Sequence, residues 1–203
     1  MTGLAYKGGL QRSRSKVGGA TQRLSVYPIK NGKAKNIFAG DPVRVSNGTL
    51  DIGTNTAAVV GVAQSFHWVD DTVKQPVYRN YFPSGTSASN IRNEDFTQPW
   101  ALVDDDPQGT WIIQAKATVA VSGLGTLGRV QAAGTGSTVT GRSACTVSTG
   151  AGVSVTTNAM FRIVGVYKIG ESTSSGAVNN DWDSTGGTDQ TIVEVVFCNH
   201  LYG

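Results

Sequence analysis

The chain has 203 residues, of which only 15% are charged and 26 are glycine, and its formal net charge is +3. Ordinary domains carry about 25% charged residues and about 7% glycine, so this composition argues against a helical enzyme and for short strands joined by many turns. No stretch reaches the roughly 20 apolar residues of a membrane span, and the start, "MTGLAYKGGLQRSRSKVGG", has cations with no apolar block behind them. The expectation is a soluble protein made in a cytoplasm, with no membrane partner.

The net charge conceals a division. The first 40 residues carry Lys7, Arg12, Arg14, Lys16, Arg23, Lys30, Lys33 and Lys35 and no acid, which is +8; nine basic and fourteen acidic residues follow, leaving −5. A basic segment on a mildly acidic body reads as an arm with its own partner. Residues 1–35 are therefore expected to form a basic arm with an edge-like strand. Residues 36–203 are expected to form a β-rich body, with 84–98 as the place where two small subdomains would divide.

Within the arm, residues 1 to about 20 mix Gly, Ser, Lys and Arg without periodicity. "RLSVYPIK" (23–30) sets Leu24, Val26 and Pro28 against other neighbours, the pattern of an edge strand. "IFAGDPVRVSNGTLDI" (37–52) predicts a tight hairpin, because Asn47-Gly48 readily supplies the two positive-φ positions of a type I′ turn. "AAVVGVAQSFHWV" (57–69) is the longest apolar strand candidate, and Gly61 signals a bulge or a close backbone approach. "KQPVYRNYFPSG" (74–85) reads as an extended segment whose Tyr78, Tyr81 and Phe82 are exposed edges. "SGTSASNIRNEDFTQ" (84–98) is a long loop.

"WALVDDDPQGTWIIQAKATVAV" (100–121) predicts strand, turn and strand, with Pro107 and Gly109 at turn-compatible positions. The Gly-, Ser- and Thr-rich run that follows keeps returning to Val and Ala, so it favours short strands over a linker. "AMFRIVGVYKI" and "TIVEVVFCNHLYG" are two further strands, separated by a second long polar loop. Apolar spacing of three and four never persists for a helix. The predicted fold is all-β, a barrel or sandwich of short antiparallel strands with two long loops and an extended basic N-terminal arm.

No catalytic, cofactor or metal site emerges. Asp104-Asp105-Asp106 has oxygen ligands for calcium but lacks an EF-hand pattern, and Asp before Pro-x-Gly is ordinary turn chemistry. Asp181 and Asp183 flank Trp182 as in a sugar-binding loop, yet solvated turn residues are the simpler reading. His67 and His200 are the two histidines. A Ser/His/Asp triad would want a Gly-x-Ser-x-Gly elbow, which is absent. "GLGTLG" lacks the helix that a phosphate loop requires. Cys145 and Cys198 have no metal-ligand spacing and read as isolated thiols.

The segments "FAGDPVRVSNGTL", "VVGVAQSFHWVDD", "VYRNYFPSGT", "WALVDDDPQGTWIIQA", "TGRSACTV", "FRIVGVYK" and "TIVEVVFCNHLYG" form an ordered series. From about Ile37 to Gly203 that series resembles the cement, or head-decoration, proteins of tailed bacteriophages. The resemblance implies a non-enzymatic virion protein on the capsid exterior, commonly a homotrimer, that clamps neighbouring capsomers through the major capsid protein. On that reading Lys7, Arg12, Arg14, Lys16 and Arg23 are the expected capsid contacts, and no cofactor is needed. Two other readings stay open. One is a tail or baseplate component holding host carbohydrate through the Trp182 loop. The other is a nucleic-acid-binding arm, disfavoured because only Tyr6 and Tyr27 could stack bases and the body is net acidic.

Overall fold

The structure, a computed structural model, describes residues 8–15, 23–86, 99–117, 119–149, 159–167 and 191–202. Fourteen strands lie among them. They are β1 (Gln11–Ser15), β2 (Leu24–Pro28), β3 (Ile37–Phe38), β4 (Pro42–Ser46), β5 (Thr49–Ile52), β6 (Gly61–Val69) and β7 (Pro76–Arg79). After these come β8 (Tyr81–Phe82), β9 (Trp100–Asp104), β10 (Gly109–Gln114), β11 (Leu127–Gln131), β12 (Thr146–Thr149), β13 (Phe161–Val166) and β14 (Ile192–Phe197). One sheet runs β1-β10-β14-β13-β11-β12, a second runs β2-β9-β6-β4-β5 with β7 beside β6, and β3 pairs with β8. The strand pairs are antiparallel, and the sheets form a sandwich-like arrangement.

Each of the two large sheets also curls, the second until its end strands meet and the first until β12 reaches the end of β10, leaving β1 outside the closure. Ala115, just past β10, bridges Val147 of β12, and Ile29, just past β2, bridges Leu50 of β5. The curl encloses two apolar clusters. Trp111, Ile113, Val147, Met160, Phe161, Ile163, Val193 and Val195 fill the first. Ile29, Ile37, Val43, Leu50, Phe66, Trp68, Phe82, Ala101 and Val103 fill the second. Burying side chains of this size contributes about 1.5–3 kcal/mol each, which outweighs what the polar turns can supply.

Turn chemistry behaves as read in the first hairpin. Asn47 and Gly48 have φ of 51° and 75°, and β4 pairs β5 from Ser46↔Thr49 to Val43↔Ile52. The turn after β9 does something else. It does not fold β10 back on β9 but carries the chain from the second sheet into the first. The 84–98 region does not separate the sheets either, since both draw strands from each side of it. The second long loop lies outside the described residues.

Two expectations change. Of the expected arm, residues 11–15 pair with β10 as a strand of the first sheet, whereas the edge strand expected within 23–30 is present as β2, whose residues 24–28 pair with β9. The physical reason is that their cations meet the body's acids, as shown below. Phe82 is not an exposed edge but fully buried, packed against Phe66 and Trp68, whereas Tyr78 remains outside.

Gly61 supplies the close approach expected of it. A Cβ there would collide with the carbonyl of Asp104 and sit 2.9 Å from the Asp105 Cα. Gly61→Ala should therefore push β6 and the end of β9 apart and cost about 1–3 kcal/mol. A urea titration reads this as a lower midpoint at unchanged slope; a midpoint equal to wild type would mean that the two backbones part freely.

Candidate interaction surface

Three of the five expected contact cations are described, and each is tied to the body. The Arg12 guanidinium donates to Asp104 Oδ1 at 2.9 Å and to Asp106 Oδ2, and it lies 5.3 Å from the centre of the Trp111 ring. Asp104 is fully buried. Burial pushes its carboxyl above the ordinary range, and the Arg12 charge opposes that rise. Ser13 and Arg14 both donate to Glu194 of β14, at 2.7 and 2.9 Å. Arg23 pairs with Asp105 at 3.2 Å, while its guanidinium lies 5.9 Å from the Tyr202 ring centre. Lys7 and Lys16 lie outside the described residues, as do Asp181, Trp182 and Asp183.

The triple-aspartate turn is thus an arginine-binding junction. Arg12 holds Asp104 and Asp106, while Arg23 and the Tyr27 hydroxyl, at 2.9 Å, hold Asp105. Burial, the neighbouring Tyr202 hydroxyl and the Asp105 charge hold the Tyr27 phenol above its ordinary range. Among the described residues no group of three or more His, Cys, Asp or Glu is placed to hold a metal ion. Cys145 and Cys198 are not joined in a disulfide.

The second sheet presents an unusual outer face. Antiparallel sheets with one solvated face normally turn polar residues outward. In β2 the reverse holds. Tyr27 packs against the inner cluster and Ile29, just beyond the strand, lies within it, so the two-residue period sends Leu24, Val26 and Pro28 out. Directly opposed residues share a face, which extends the set across the sheet: Val26↔Leu102, Pro28↔Trp100, Trp100↔His67 and His67↔Tyr78. The three rings form a ladder. His67 lies 4.8 Å from Trp100 and 4.2 Å from Tyr78, centre to centre. Burial between them lowers the His67 pKa, favouring the neutral ring. Leu24 is 46%, Val26 61% and Tyr78 71% exposed, so this apolar row lies open. Sequence alternation gave both sets of β2 residues; only the bulk of Tyr27 and Ile29 decides which goes inside.

A third feature links the loops. Asp41 is fully buried ahead of β4 and accepts from Ser143 Oγ at 2.6 Å, Phe38 N–H at 2.8 Å and Gly134 N–H at 3.1 Å. Beside it the buried Cys145 donates its thiol to the Gly40 carbonyl at 3.4 Å, and burial pushes that thiol up to about 12. Asp41 thereby ties 38–41 to 134–143. Sequence reading missed it, the one signal being an acid at the start of an apolar strand.

Comparison with family models, with curated proteins and with solved structures found no match. What fold and surface define is a class: an all-β protein of curled antiparallel sheets with an exposed apolar and aromatic sheet face.

Burial raises the Asp41 carboxyl from an ordinary 3.8 to about 6, against the pull of its three hydrogen bonds. The folded chain therefore binds more protons here than the unfolded chain between those values. Stability from this group is fully present below 3.8 and is lost as pH rises through 6. Asp41→Asn removes the slope. The stability difference, wild type minus variant, should be larger at pH 4 than at pH 7 by about 2 kcal/mol, read from urea unfolding at both pH values. A difference independent of pH would show that Asp41 is ionised throughout.

Proposed function

We propose that this chain is a structural virion protein that binds the outside of an assembled phage capsid and stabilises contacts between neighbouring capsomers. The observation that carries this reading is the outer face of β2, β9, β6 and β7. A sheet apolar on both sides has one side for its own core and one for a partner. The resemblance of the ordered segments from Ile37 to Gly203 to head-decoration proteins supports the major capsid protein as that partner. Self-association as a homotrimer repeats the face three times, so modest single contacts add up by avidity.

The basic segment has a revised part in this reading. Arg12 is held within the body and makes no capsid contact. Arg14 and Arg23, with side chains 66% and 60% exposed, reach an acidic capsid surface from their ion pairs, together with Lys7 and Lys16. Interactions of such exposed charges are screened by salt, so they tune attachment while the apolar face dominates it.

Val26→Glu tests the reading because it places a charge in the middle of the row without touching the core. In a sedimentation assay with purified shells lacking the protein, the wild type should co-sediment. The variant should keep its circular dichroism and Tm yet bind at least about tenfold more weakly, the cost of desolvating a charge at an apolar contact. Equal binding by both proteins would remove this face from the capsid contact.

A further inference from the structure

A cleft of about 160 Å³ opens where strands of the two sheets and their loops meet. Its polar lining comes from four separate places. Gln11 is on β1, Gln64 is at the irregularity of β6, Asn80 sits between β7 and β8, and Arg142 is in the loop before β12. The β6 register shifts between Ala63 and Ser65, leaving Gln64 unpaired with β9. Bulges of this kind re-aim a side chain, and here the re-aimed amide lines the cleft. Gly8 keeps the space open: a Cβ there would come within 2.7 Å of Gln11 Nε2 and 3.8 Å of Arg142 Nη1.

The charge of this lining is one-sided. No carboxylate lines the cleft, and its two cations differ in their commitments. Arg12 is neutralised by Asp104 and Asp106, whereas the Arg142 guanidinium has no ion pair among the described residues. A guanidinium offers five N–H donors in a planar fork that matches an oxyanion, and three carboxamides beside it can each donate two more N–H groups. Donors from four elements converging on one partly enclosed space, with no acid to satisfy them, define a ligand of one chemistry.

We infer that this cleft binds a small oxyanion group, a carboxylate or a phosphate, held by Arg142 in a bidentate pair and flanked by the amides of Gln11, Gln64 and Asn80. The group can arrive as a free ion or as the acidic side chain of a partner protein. This inference is independent of the capsid reading, because the cleft and the apolar face share no residue.

The test uses the full chain alone, titrated by calorimetry with sodium phosphate and separately with acetyl-aspartate amide, each against sodium chloride at matched ionic strength. Saturable binding of at least one oxyanion beyond chloride is expected. Phosphate binding alone identifies a free-ion site, and binding of the aspartate derivative identifies a side-chain carboxylate. Arg142→Gln should weaken that binding at least about tenfold while leaving the circular dichroism unchanged. Gln64→Leu, which keeps the charge, should weaken it about threefold or more and serves as the readout if Arg142→Gln fails to fold. Binding no stronger than chloride in the wild type, or equal binding by wild type and the folded variants, would overturn the inference.

Discussion

The ion pair between Arg12 and the Asp104–Asp106 turn is the contact on which the arrangement depends. Asp104 ends a strand of the second sheet, Arg12 belongs to the edge strand of the first, and the turn between them is where the chain crosses from sheet to sheet. A buried ion pair gains little net stability, because two charges must leave water to form it. Breaking one is another matter. An unpartnered carboxylate in the place of Asp104 would cost about 3–5 kcal/mol, a large share of a domain's marginal stability. Such a pair enforces one arrangement over others: a β1 that slipped or detached would strand a buried charge.

The geometry that follows from this junction sets the surfaces. With β1 held along β10 and β2 along β9, the N-terminal segment supplies an end strand to each sheet. Gly61 lets β6 approach that turn, and β6 in turn carries His67 and Gln64. One points into the aromatic ladder of the outer face, the other lines the polar cleft. Both proposed binding surfaces thus take a residue from a single strand whose position is fixed at the crossing. Their chemistry is opposite. The face offers apolar area and rings, suited to a broad protein contact, and the cleft offers directed donors for one small anion.

Much of the fold was legible in local chemistry. Asn47-Gly48 announced its hairpin, and the apolar runs of β6, β13 and β14 announced strands. Long-range partnership was not legible. The Asp-Pro-Gln-Gly turn reads alike whether its flanking strands pair with each other or part into separate sheets, because turn residues specify local dihedrals only. The destination of the N-terminal cations had a weak signal: a segment of +8 beside a body of −5 invites internal pairing as readily as an external partner. Arg12 finds Asp104 across 92 positions of sequence, which no motif records. The outward turn of Leu24 and Val26 depends on which of two alternating sets fits the cluster around Phe66 and Trp68, a packing decision made only in three dimensions.

A double-mutant cycle on Arg12 and Asp104 tests the central claim most directly, using Arg12→Met, Asp104→Asn and the double variant in equilibrium urea unfolding. If the N-terminal strand is locked to the crossing turn, the double variant should cost at least about 2 kcal/mol less than the two single costs added, since each single change leaves the other group buried without its partner. Additive effects, within about 0.5 kcal/mol, would mean that the two residues do not meet and that the basic segment does not belong to the body.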